Sequence, residues 1–329
     1  FNHTSGKRSA TFANGRIAVD EKGKIIAAEY DVALDHGAYT GVAPMIFNNL
    51  ASVGFHGYNI PNIRALARGC VSNQSYNTAY RGFGSPQIYT TTEALIDMAA
   101  EKIGMDPWEF RYLNCARPGD TTINQREYFE YVYPTLMEMI KPYYDDYKAK
   151  AEAGRAEGKH MGVGISLGGF LATTGAIDAA EVGIELLPDG KILFSNTWED
   201  VGQGGDIGSI THIVKALEPL GVTPDQIVLR MNDSKTCPDT GLAAASRLHY
   251  MCGNATIDGA NKLMDAMRKA DGTYRTYDEM VAEGIPTKYI GHYDQVNLGI
   301  DHALDPNDGS GNKDATFMYS VNTCLGDVD

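Results

Sequence analysis

The 329 residues predict a mixed α/β protein of the α+β kind, built from two domains. Three observations lead there. The length suits about two domains. Strand-like apolar runs give way to helical periodicity, and the order then repeats in the second half. Hydrophobic residues make up 43% and charged residues 21%, a balance that supports a large packed core.

In the first half, residues 16–19 and 25–34 are short apolar runs, which read as a hairpin turning at Gly23. Residues 55–75 read as irregular. Pro86 opens a helical pattern to about Ile103, with Ala94, Leu95, Met98 and Ala99 on one face. Asp106 followed by Pro107 is an N-cap with proline at the first helical position. Residues 127–157 read as a long helix that turns polar at 145–159 and serves as a solvated connector. The boundary is therefore placed there, giving domains 1–150 and 151–329.

The second half restarts with a strand at 162–170, then strands 181–187 and 191–196 joined through Pro188-Asp189-Gly190. Residues 206–220 suit an amphipathic helix using Ile207, Ile210, Val214 and Leu217. A strand over 222–231 is entered through Thr223-Pro224, and a long helix runs from about Ala243 to Lys269. Residues 318–329 alternate as a strand cut off near a turn, so completion by another polypeptide is expected.

Charge narrows the function. Lys+Arg total 28 against 42 Asp+Glu, a net charge of −14. That field repels phosphate backbones, so no nucleic-acid partner is expected. No run reaches the ~18 apolar residues of a membrane span. Five scattered cysteines without a C-x-x-C read as free thiols in a reducing cytoplasm. Eight histidines show no metal-ligand spacing, and no G-x-S-x-G elbow is present. Glycine is unusually abundant, 36 residues, and its placement matters.

Three segments carry candidate chemistry. Residues 77–87, N-T-A-Y-R-G-F-G-S-P-Q, run from a loop into a helix. Gly82 and Gly84 leave Phe83 little covered, Arg81 offers a donor fork, and the helix start favours an anion. The same residues also read as a glycine turn over a buried Phe with a surface Arg. Residues 198–205, W-E-D-V-G-Q-G-G, place successive glycines whose N–H groups are free for a polar ligand, beside the Gln203 amide. They also read as an ordinary strand–helix turn, and neither a P-loop nor a Rossmann spacing is present. Residues 236–246, T-C-P-D-T-G-L-A-A-A-S, put small side chains at a helix start, where a bulky ligand could approach. A plain turn followed by good helix formers reads as well.

Taken together and in this order, these segments resemble the molybdopterin-binding part of the xanthine oxidase family. The supporting residues are N-I-P-N-I-R at 59–64, N-T-A-Y-R-G-F-G-S-P-Q, G-Q-G at 202–204 and A-A-A-S at 243–246. Glu93, Asp106-Pro107, Arg111, Asn114 and Pro118-Gly119-Asp120 also match that pattern. Within the family the closer resemblance is to the nicotinate dehydrogenase branch, whose molybdopterin part is split into medium and large subunits.

The resemblance implies a molybdenum-dependent hydroxylase or dehydrogenase, with water as the oxygen source and nicotinate converted to 6-hydroxynicotinate. A purine, an aldehyde, an aryl-CoA or a non-catalytic assembly role are the alternatives. It implies molybdenum with molybdopterin, in the cytosine dinucleotide form, and iron–sulfur clusters and FAD on other subunits. Substrate contacts would be Phe83, Asn49, Leu167 and Ala244. Cofactor contacts would be Arg81, Gly82, Gly202, Gln203, Ala245, Ser246 and Arg247. Purine-oxidising members carry arginine where Asn49 stands, which favours a different heterocycle. The chain holds no Gly-Glu dipeptide, so the family's glutamate base is expected on a large molybdopterin subunit. No catalytic residue and no direct metal ligand is expected here.

Overall fold

The computed structural model describes residues 6–124, 128, 130–171, 179–244, 246–294 and 317–328, excepting the side chains of Leu171 and Phe317. They form two compact units: one contains residues 6–170 and 317–328, the other residues 171–294. Among the described residues no helix is long and apolar enough to cross a membrane.

The first unit opens with the expected hairpin. β1 (Ala10–Val19) pairs antiparallel with β2 (Ile25–Asp35), and Gly23 turns between them at φ +83°. Ala28, Tyr30, Val32 and Leu34 of β2 point inward at period two. Two elements then depart from expectation: α1 (Ala43–Val53) and β3 (Ile63–Cys70), which pairs parallel with β2. The irregular reading of 55–75 is thus corrected. β3 is an edge strand whose outward side carries Arg64, Leu66 and Arg68, so its apolar contrast is weak.

α2 (Ser85–Ile103) follows, ending at Gly104 in the left-handed region. α3 (Pro107–Asn114) starts as expected, with the Asp106 carboxylate accepting from the N–H groups of Trp108 at 2.8 Å and Glu109 at 3.3 Å. α4 (Tyr133–Ala156) is not the solvated connector its charges suggested. Lys141–Asp145 and Lys150–Asp146 pairs do line an exposed face. The opposite face buries Tyr144, Ala151 and Gly154 and packs on β9 (Phe317–Val328). Of the helix expected over 127–157, residues 127 and 129 lie outside the described residues and the helix begins only at Tyr133. β9 pairs with β4 (His160–Leu171) in a two-stranded sheet.

The second unit is built on a four-stranded sheet of β5 (Ala179–Leu186), β6 (Ile192–Asn196), β7 (Ile227–Met231) and β8 (Lys288–Asp294), in the order β7-β6-β5-β8. β5 (Ala179–Leu186) and β6 (Ile192–Asn196) form the expected hairpin, turning at Gly190, φ +79°. β7 (Ile227–Met231) is shorter than expected, because residues 224–226 form a 3₁₀ turn capped by Thr223. α5 (Gly205–Ala216) buries Gly205, Ser209 and Ile213, while Ile207 is 74% exposed. The predicted face is therefore rotated, since Gly205 is pressed against the Trp198 indole.

The long helix expected from Ala243 begins later. A π-helical turn over Leu248–Cys252 leads into α6 (Gly253–Met267). α6 lies very close to β8 (Lys288–Asp294): a Cβ at Gly259 would sit 3.0 Å from the Gly291 backbone. Only glycine permits that approach. α7 (Tyr277–Ala282) and β8 were not foreseen in the sequence; Thr276 and Glu279 cap α7 reciprocally. Val182, Ile184, Phe194, Leu217, Leu263 and Met280 form the core of this unit.

Candidate cofactor and substrate site

In the first unit the R-G-F-G segment forms a turn ahead of α2. Gly82, Phe83 and Gly84 have φ of +94°, +44° and +97°, three consecutive left-handed residues. Phe83 is the unusual one, since residues with a side chain rarely adopt this region. The Phe83 N–H donates to the Tyr80 carbonyl at 2.8 Å, and the Ser85 N–H to the Gly82 carbonyl at 2.9 Å. Asn49, 5% exposed on α1, donates from Nδ2 to the Phe83 carbonyl at 3.1 Å. Arg8 donates to the Arg81 carbonyl at 2.5 Å and lies 4.6 Å from the centre of the Tyr80 ring. Phe83 is left half-buried and the Arg81 side chain exposed. The structure therefore brings Asn49, Arg81, Gly82 and Phe83 together.

Leu167 is placed differently. Its side chain is 2% exposed on β4, and its N–H donates to Glu93 Oε2 at 3.0 Å. Glu93 also accepts from Tyr58 at 2.7 Å and from Arg111 Nε at 3.1 Å, and Arg111 reaches Asp97 at 2.7 Å. Burial pushes the Glu93 carboxyl up, while the Arg111 guanidinium, Tyr58 hydroxyl and Leu167 amide oppose it. A wholly buried guanidinium needs such partners. Asn114 belongs to the same scaffold, receiving the Ile25 N–H at 2.9 Å and donating to the Gly23 carbonyl at 2.9 Å. Asp120 accepts from Asn59 at 2.6 Å. The residues flanking the motif are thus interior ties that hold the sheet, α2 and α3 in register.

In the second unit the W-E-D-V-G-Q-G-G segment does not leave its amides free. The Asp200 carboxylate accepts from the N–H groups of Gly202 at 2.7 Å, Gly204 at 3.3 Å and Asp206 at 3.2 Å. These backbone bonds hold Asp200 below the usual carboxylate range. Expecting free glycine N–H groups overlooked this carboxylate, which caps α5 from within the turn. Gln203 is exposed; its Oε1 accepts from Val201 at 2.7 Å and its Nε2 donates to the Glu199 carbonyl at 2.9 Å. One amide hydrogen of Gln203 stays available. A Cβ at Gly202 or Gly204 would meet nothing within 4 Å, so the outer side of the turn is open.

Glu199, which carried no signal in the sequence, joins the second and third segments. Its carboxylate accepts the Ala243 N–H at 2.6 Å. Thr197 and Thr240 complete the tie by exchanging hydrogen bonds at 2.7 and 3.0 Å. Ala244 and Ser246 are half-buried, and Ala245 lies outside the described residues. Arg247 is 3% exposed and turns its guanidinium inward, to the carbonyls of Thr240 at 2.8 Å, Leu242 at 3.2 Å and Ala179 at 2.5 Å. Gly241, φ +75°, has no Cβ because one would lie 2.8 Å from Arg247 Cζ.

The segments of the second unit fit a broad polar cofactor in one respect and resist it in another. Open glycine backbone, the Gln203 amide and small residues at 243–244 suit edge-on contact with a flat ring system. The amides of Gly202 and Gly204 do not suit an anion, because Asp200 already takes them. Among the described residues no cluster of three or more histidine, cysteine or acidic side chains could hold a metal.

Comparison with known proteins identifies the domains. Two families described as molybdopterin cofactor-binding domains match, one over residues 2–115 and one over 137–329. An aldehyde oxidoreductase from Megalodesulfovibrio gigas is 38% identical over 317 residues, covering 96% of this chain and 35% of the relative. The solved aldehyde oxidoreductase from Desulfovibrio gigas superposes with a TM-score of 0.95 at 37% identity, covering 99% of this chain and 36% of that one. A nicotinate hydroxylase from Emericella nidulans is 27% identical, covering 90% of this chain and 22% of the relative. A xanthine dehydrogenase molybdenum-binding subunit from Escherichia coli O157:H7 is 26% identical, covering 77% and 34%. The chain thus spans about a third or less of each of these relatives. It belongs to the xanthine oxidase family, as two molybdopterin cofactor-binding domains of that family's molybdenum-dependent oxidoreductases.

Proposed function

We propose that this chain forms part of a molybdenum hydroxylase that oxidises an aldehyde to a carboxylic acid with water. The 38% identity to an aldehyde oxidoreductase over 96% of the chain carries this reading. The balance is RCHO + H2O → RCOOH + 2 H⁺ + 2 e⁻. When bound, the molybdenum–pterin group supplies the two-electron redox chemistry. The protein's residues bind and orient. Phe83 offers a ring face to a flat substrate. Arg81 offers donors to a carbonyl or carboxylate oxygen. In the second unit Gln203, the open side of Gly202 and the small residues from Ala243 on, with Ser246, would meet the cofactor. Ala245 would do so as the resemblance implies, and Ala244 would meet substrate. In the first unit Gly82 would meet the cofactor. Arg247 shapes the 240–244 segment from behind.

A second reading takes nicotinate to 6-hydroxynicotinate. The pairing of an aromatic Phe83 with a cationic Arg81 favours it, since nicotinate is a flat ring bearing a carboxylate. In either case the glutamate base, iron–sulfur clusters and FAD would lie outside this chain, on a large molybdopterin subunit, an iron–sulfur subunit and an FAD subunit. The cofactor would be the cytosine dinucleotide form, working in the cytoplasm. Steady-state kinetics of the purified full protein with benzaldehyde, acetaldehyde and nicotinate separates the readings. Turnover of aldehydes with none of nicotinate supports the first; the reverse supports the second.

A further inference from the structure

We propose that Asn49 is a positioning residue that fixes where Phe83 stands, rather than a group that touches substrate. The inference rests on the reading above, in which Phe83 meets an aromatic substrate. The turn at 82–84 holds three left-handed residues in a row, and Phe83 is the one with a side chain. Such a run persists only where its surroundings hold it. The bonds from Phe83 N–H to Tyr80 and from Ser85 N–H to Gly82 close the turn on itself without anchoring it. The Asn49 amide, donating from α1 at 3.1 Å, is a tie from a separate element.

The α1 surface around Asn49 is shaped to receive the turn. A Cβ at Gly84 would lie 3.3 Å from Ile46 Cγ2 and 3.4 Å from Leu50 Cγ, so the backbone sits directly on that helix. Gly82 is confined on the other side, where a Cβ would lie 2.6 Å from the Pro86 ring. Phe83 is thus the single side chain that the turn can present, and Asn49 sets its carbonyl. Neutral amide chemistry suits the task. A carboxylate here would face the Phe83 carbonyl oxygen with lone pairs on both sides, although it fills the same space.

The test uses the full protein loaded with its cofactor, comparing Asn49→Asp, Asn49→Ala and Phe83→Ala. Hydrogen exchange at the Phe83 and Ser85 amides, whose bonds close the turn, should speed about tenfold in both Asn49 variants, the loss of about one hydrogen bond. The amides of β2 should keep their wild-type exchange. KM for benzaldehyde should rise about tenfold in all three variants, and by a larger factor than KM for acetaldehyde, which has no ring to stack. Unchanged exchange and unchanged benzaldehyde KM in Asn49→Asp, with Phe83→Ala impaired, overturns the proposal and leaves the stacking reading standing. Equal losses on both aldehydes overturn it too, because Asn49 would then act through general folding. Wild-type behaviour of Phe83→Ala removes the stacking reading itself.

Discussion

His56 lies inside the first unit at 5% exposure, among the rings of Tyr128, Tyr133 and Tyr319. Its Nδ1 is 2.9 Å from the Tyr133 hydroxyl, which donates its one proton to the Gly168 carbonyl at 3.0 Å. Nδ1 must therefore carry the hydrogen, which fixes the neutral tautomer. Burial pushes the imidazole down to about 3. In the unfolded chain it titrates near 6.5. Between those values the unfolded state binds a proton that the folded state refuses, so stability falls as pH drops below about 6.5 and levels off near 3. From pH 7 to pH 5 the linkage amounts to about 2 kcal/mol, or about 25-fold in the opening equilibrium. Hydrogen exchange at Gly57 and Tyr58, corrected for the intrinsic pH dependence, reads that opening. The wild type should open about 25-fold more often at pH 5 than at pH 7, and His56→Gln should show no such change. An identical pH response in the two proteins would refute the argument.

Two other substitutions test the scaffold. Arg247→Met leaves three carbonyls without their guanidinium partner, partly offset by removing a buried charge; urea unfolding of the second unit should show a loss of about 3 kcal/mol. A loss below about 1 kcal/mol would contradict the clamp. Burial pushes Asp106 up, but Lys148 and the N–H groups of Glu109 and Trp108 outweigh it and hold the carboxyl below its usual value. Its contribution is present above about pH 4 and lost as pH falls further, so Asp106→Asn should flatten the acid limb of α3 unfolding below that pH. An unchanged limb would show that the cap carries no such linkage.

The legible parts of the sequence were those with strong local chemistry. The Gly23 and Gly190 hairpins, the Asp106 cap and the R-G-F-G turn are each written within a few residues, and the structure has them. Elements whose signal is tertiary were missed. β3 shows solvent an edge of arginines, and α1 is identified by what it supports rather than by its own caps. The polar stretch of α4 concealed a buried face of small residues, Ala151 and Gly154, that hydropathy does not mark. In the site, Glu199 and Asp200 carried no signal of their own in the sequence. Only the folded chain shows Glu199 joining two segments and Asp200 consuming the turn's amides. Asn49 was named through the family resemblance, while its bond to the Phe83 carbonyl required coordinates.

The central claim is that these two domains help hold a molybdopterin cofactor. Its most direct test is metal and pterin analysis of the full protein, purified natively under conditions that preserve its partners. Molybdenum and a pterin derivative should be found together, in near-equal and stoichiometric amounts, with both lost on unfolding. A folded, fully assembled protein containing neither molybdenum nor pterin would contradict it.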